Sequence, residues 1–205
     1  MIYRTPSKTQ KIVWLALSTG SILLSFGLSV FAFGQDELFD RTLSNVGLHN
    51  NNWFIAWSIS FSLATMINLE ILKRKLGIKG LLGILISVLL FLILPLAILQ
   101  SVIIDYRVNA VHIYLAIIFT AYGLTMIIGF IVLLTVLKTI SNKRFFEQGI
   151  LYFLIIAVPG LSNFWAINFF GRLTAAFQIL LIYVCLITVF FMQIFERWKK
   201  IACSM

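Results

Sequence analysis

Residues 81–104 read LLGILISVLLFLILPLAILQSVII, a run without a single charged side chain. As an α-helix it would extend ~36 Å at 1.5 Å per residue, enough to cross a hydrocarbon core of roughly 30 Å. Lys73-Arg74-Lys75 lies before it and Asp105-Tyr106-Arg107 after it. Working outward, the same alternation of apolar run and polar break places further spans at 12–33, 53–72, 111–137, 148–168 and 173–195. The fifth is the least sharply bounded. Residues 149–161 alone are too short, so it must take in part of Ser162–Asn168 or reach back through Phe145 and Phe146. The expected architecture is all-α: residues 1–205 as one domain, a bundle of six transmembrane helices.

Composition excludes most alternatives. Of the 205 residues, 61% are hydrophobic and 11% charged, against about 25% charged in soluble domains, and the mean hydropathy is +1.03. No polar stretch is long enough to hold a soluble domain. The first apolar run follows Arg4, Lys8 and Lys11, as a signal peptide would, but it exceeds an h-region and lacks a convincing cleavage site. It is read as a retained helix.

The net charge is +9. Basic residues collect on alternate sides of the six spans. One side holds Arg4, Lys8, Lys11, Lys73, Arg74, Lys75, Lys79, Lys138, Lys143, Arg144, Arg197, Lys199 and Lys200; the other holds Arg41, Arg107 and Arg172. The positive-inside rule then makes both termini cytoplasmic, and nucleic acid is not an expected partner. The Lys73–Lys79 cluster would either set orientation or bind anionic lipid headgroups. Trp198 and its basic neighbours read as an interfacial anchor.

Ser18, Ser21, Ser25 and Ser29 fall on one face of the first span, and Ser58, Ser62 and Thr65 on one face of the second. Small hydroxyl residues let membrane helices approach closely, so these stripes predict helix packing. In the last span Thr174, Gln178, Cys185 and Thr188 lie close to one face. Cys185 and Cys203 fall at different depths, which argues against a disulfide, and no CxxC pair occurs. Pro95 and Pro159 predict kinks in the third and fifth spans.

The outer face is chemically richer. It carries Asp36, Glu37, Asp40, Asp105, His49, His112, Arg41, Arg107 and Arg172. Zinc hydrolysis would draw on His49, His112 and one aspartate, yet no HExxH cluster is present. Ser44, His112 and Asp105 are residue types for a hydrolytic triad without any GxSxG context. Haem ligation is disfavoured because both histidines lie at helix ends. No metal, cofactor or catalytic residue is therefore expected. With no ionisable group at a helix centre, proton-coupled transport is poorly supported.

Leu43-Ser44-Asn45-Val46-Gly47, the stretch Val111–Phe119 with its leading His112, and Gly171-Arg172-Leu173 together resemble motifs of a bacterial six-helix family of unknown function. That family is akin to the Frag/DRAM/Sfk membrane proteins. Asn45 stands where that family usually has Asp. The resemblance implies a multi-pass protein of the bacterial cell membrane, an involvement with membrane lipids, and functional roles for Asn45, His112 and Arg172.

These readings converge on an outward-facing polar pocket. Its expected lining is Asn45, Gln100, Asp105, His112, Arg172 and Gln178, and its expected ligand is a lipid or amphipathic molecule held by a non-enzymatic sensor or regulator. A membrane enzyme acting on lipid headgroups at the outer leaflet is the alternative, as is an accessory subunit of a larger complex. Expected partners are membrane lipids, with a homo-oligomer or membrane protein partner left open.

Overall fold

The computed structural model describes residues 7–33, 51–75, 77–102, 109–139, 144–171 and 174–194. Every regular element among them is an α-helix: α1 Lys8–Phe33, α2 Asn51–Lys75, α3 Gly80–Phe91, α4 Ile93–Val102, α5 Asn109–Thr139, α6 Arg144–Phe170 and α7 Ala175–Ile194. Five stretches among the described residues are long and apolar enough to cross a membrane: Lys8–Phe33, Asn52–Lys75, Gly80–Leu99, Ile150–Phe169 and Ala175–Gln193. That is the pattern of a multi-pass membrane protein.

Local chemistry explains the boundaries. α1 opens with a reciprocal capping box: the Ser7 N–H donates to Gln10 Oε1 at 3.0 Å and the Gln10 N–H donates to Ser7 Oγ at 3.1 Å. α2 closes in a Schellman motif. The Ile78 N–H reaches Lys73 O at 3.3 Å and the Gly77 N–H reaches Arg74 O at 3.1 Å, with Gly77 at φ 70°. Gly80, at φ 67°, then opens α3 directly. The short connection makes α2 and α3 adjacent.

The two prolines act differently. Pro95 removes one N–H and its ring crowds the carbonyl of Phe91; the helix is interrupted at Leu92, which separates α3 from α4. Pro159 lies inside α6, and the helix runs on without a break. α6 extends past both limits considered for the fifth span, which is how it gains the length that residues 149–161 lack.

α2 is the hub, packing on α1, α3, α4 and α7, while α4, α5, α6 and α7 follow one another around it. Of its spanning stretch 61% is buried, against 22% for α1 and 18% for Ile150–Phe169. Phe31 stacks on Trp53 and Ser18 meets Asn68, so α1 and α2 are antiparallel. Trp57 meets Tyr183 and Asn68 meets Gln193, so α2 and α7 are parallel. Two apolar clusters result. One joins Leu69, Leu72, Leu90, Phe130, Ile156 and Val189; the other joins Phe33, Phe54, Trp57, Phe61, Tyr183 and Leu186. Outward, α1 and α6 present Leu23, Leu24, Phe31, Phe153, Val158 and Phe164. Such surface is suited to lipid and incompatible with water on this scale.

Candidate functional site

Three layers of polar side chains inside the bundle tie helices to one another. In the first, Asn68 is 0% exposed. Its Nδ2 donates to Ala64 O at 2.7 Å and Ser21 Oγ at 3.5 Å. Its Oδ1 accepts from Ser18 Oγ and, at 2.8 Å, from Gln193 Nε2, which also donates to Asn68 O at 3.0 Å. Three helices meet on one carboxamide with its hydrogen-bonding capacity filled.

The second layer is aromatic. The Trp57 indole donates to Tyr183 Oη at 3.1 Å, and Ser25 Oγ shares a hydrogen bond with the same hydroxyl at 3.1 Å. Phe26 and Phe61 pack edge-on against the Tyr183 ring. The serine stripe of α1 thus faces α2 and α7, as close packing of small residues predicts.

The third layer is ionic. Glu70 Oε2 lies 2.7 Å from Lys73 Nζ, and Arg74 Nε donates to Glu70 Oε1 at 2.9 Å. Lys73 Nζ also donates to Gly83 O at 3.2 Å and to Ser87 Oγ; Ser87 in turn donates to Glu70 Oε2 at 3.0 Å. Lys73 is buried, at 6% exposure. Of the two readings of Lys73–Lys79, orientation or headgroup binding, the second does not extend to Lys73, which points inward because α3 offers it two acceptors.

The end of the bundle where α6 meets the start of α7 differs, because one polar group there is not spent. Asn163 Nδ2 donates to Pro159 O at 2.9 Å and across to Phe177 O at 2.8 Å, tying α6 to the first turn of α7. Thr174, immediately before α7, is 0% exposed, yet its hydroxyl finds no hydrogen-bond partner among the described residues. A Thr at this position ordinarily caps its helix; this one does not. The Gln178 N–H donates to Thr174 O at 3.2 Å, and its side chain is half-buried.

Of the sequence-predicted lining, Gln178 is placed here. Gln100 lies in α4 and His112 in α5, with side chains outside the described residues. Asn45, Asp105 and Arg172 lie outside the described residues altogether. Sequence reasoning missed Asn68, Gln193, Tyr183 and Trp57. The available signal was an amide inside an apolar run, Ile67-Asn68-Leu69 and Met192-Gln193-Ile194, since a buried amide demands partners. No group of three or more potential metal ligands occurs among the described residues. An open apolar hollow of about 490 Å³ lies on α5, lined by Thr125, Ile128, Gly129, Val132 and Leu133; it includes none of the predicted residues. No protein-family model, curated protein or solved structure matches the chain.

Proposed function

We propose a six-span membrane protein that binds a lipid or amphipathic small molecule at the outer ends of its helices and acts as a sensor or regulator. The observation that carries this reading is Thr174. A hydroxyl buried without a partner costs about 1–3 kcal/mol, and this one adjoins Gln178 in space and Arg172 in sequence. A ligand headgroup seated against α7 would supply the missing hydrogen bond, and the Arg172 guanidinium would offer it a bidentate fork. Asn45, Gln100, Asp105 and His112 complete the proposed lining. The resemblance to the Frag/DRAM/Sfk group agrees with a lipid-linked role.

The six-span topology has independent support. α2 and α7 run parallel, which requires an odd number of crossings between them. Gly80–Leu99 and Ile150–Phe169 are two; α5, with 31 residues and ~46 Å of length, is the third. With six spans both termini share one side, and the basic asymmetry makes that side cytoplasmic.

The test is mass spectrometry of lipids retained by purified parent, Arg172→Ala and Thr174→Val. Both variants should express normally and lose one lipid class that the parent keeps. An unchanged lipid profile in both would overturn the pocket, and a stoichiometric metal ion would move the reading to an enzyme.

A further inference from the structure

At the other end of the bundle, the start of α1 and the end of α2 bring lysines together. Lys8 and Lys11 are exposed on the first turn of α1, held in place by the Ser7–Gln10 capping box. Three residues apart, they share a face. Lys75 closes α2, and its Nζ donates to Gln193 O at 2.9 Å, which pins the ammonium where α2 meets α7. That bond uses one of three N–H donors. Ser18 meets Asn68 across the antiparallel α1–α2 pair, and seven residues further along each helix Lys11 comes level with Lys75, where the two charges repel each other. The one carboxylate among the described side chains, Glu70, is already bound to Lys73, Arg74 and Ser87.

The depth of this group is marked by its surroundings. Immediately after Lys11, α1 exposes Ile12, Val13, Leu15 and Leu17, and Trp14 lies one turn on from Lys11. A lysine pair followed by Trp and a lipid-facing apolar surface is the composition of the headgroup layer. Clustered ammonium groups at that depth raise a local positive potential, and the matching ligand is a phosphodiester that brings its own acyl chains to the α1 surface.

We propose that Lys8, Lys11 and Lys75 form a binding site for the phosphate of an anionic phospholipid in the leaflet at this end of the bundle. Lys75 supplies a fixed donor, while Lys8 and Lys11 close over the phosphate from α1. The acyl chains lie along Ile12, Leu15 and their neighbours. Lys73 takes no part, being sealed against Gly83 and Ser87. Arg74 takes none either, because its charge is already paired with the Glu70 carboxylate. This site shares with the outer pocket only the embedding of the bundle in a bilayer.

The test titrates the purified protein in neutral detergent with dioctanoyl phosphatidylglycerol, dioctanoyl phosphatidylcholine or inorganic phosphate, reading thermal stabilisation. Phosphatidylglycerol should stabilise the parent and phosphatidylcholine should not. Each lysine near a membrane surface contributes about 1 kcal/mol, so Lys11→Gln should weaken binding about fivefold and Lys8→Gln with Lys11→Gln about 25-fold. Both positions are exposed, so these variants keep the fold even if Lys75→Gln does not. Arg74→Gln removes the same charge from the same end and should change affinity less than about twofold. Arg172→Ala should leave the effect intact, so this site and the outer pocket fail independently. Equal stabilisation by phosphatidylcholine overturns the proposal. So does an Arg74→Gln loss as large as that of Lys11→Gln, which would reduce the site to diffuse charge. Displacement of phosphatidylglycerol by millimolar inorganic phosphate would assign the site to a free anion and overturn the lipid assignment.

Discussion

Gln193 donates from one amide nitrogen to two oxygens of Asn68, its backbone carbonyl at 3.0 Å and its side-chain carbonyl at 2.8 Å. The two residues are 125 positions apart. The bond sets the register of α7 against α2, and Ser18 adds α1 to the same node. In a bilayer, where lipid tails are as apolar as Leu side chains, such bonds and close packing replace the hydrophobic effect as the force between helices.

Asn68→Ala should lower stability by about 1–3 kcal/mol, because it strands the Ser18 hydroxyl and leaves Gln193 only the backbone carbonyl of position 68. Gln193→Ala should cost less, and the double variant should cost clearly less than the two single losses combined. Reversible unfolding in mixed micelles measures the cycle. Additive losses would mean that the amide pair does not act as a unit.

Glu70→Ala should destabilise by about 3 kcal/mol, since it leaves the buried Lys73 ammonium without its carboxylate. Replacing both residues by Met should recover most of that loss, as buried ion pairs contribute little beyond what apolar packing supplies. Melting temperatures of the single and double variants decide the matter. A double variant weaker than Glu70→Ala would show a net stabilising role for the pair.

Gly83 carries its own prediction. A Cβ there would sit 2.9 Å from the Ile78 carbonyl oxygen, inside van der Waals contact with the backbone. Gly83→Ala should therefore lower the melting temperature and disturb the acceptor that Lys73 uses. Gly27→Ala meets nothing within 4 Å and should be neutral or mildly stabilising through helix propensity. Equal melting temperatures for the two variants would contradict this account.

Orientation is checked by labelling with a membrane-impermeant thiol reagent. Because both native cysteines, Cys185 and Cys203, would confuse the readout, each is first replaced by Ser. Cysteine introduced at Asn51 should react from outside in intact cells, and cysteine at Lys79 only after permeabilisation. The reverse pattern would invert the bundle and exchange the leaflets facing the two proposed lipid sites.

The membrane class and the rough positions of five of the six expected spans were legible in residues such as 81–104, because ~20 apolar residues in a row have few other stable settings. The α1 serine stripe was legible for a similar reason: helical period alone puts Ser18 and Ser25 on one face, and in the fold both are buried. The direction taken by Lys73 was not. A lysine at a helix end is equally able to reach headgroups or turn inward, and the choice depends on whether a neighbour presents acceptors. Here Gly77 and Gly80 bring α3 close enough for Gly83 and Ser87 to do so. For the candidate lining the same divide holds, since an expected side follows from charge alone, whereas convergence on one site requires helix ends to meet. Sequence alone determined which segments leave water, because that depends on the transfer free energy of each stretch by itself. Tertiary structure decided how the few buried polar groups are paired, because a hydrogen bond needs two partners and its second partner lies on another helix.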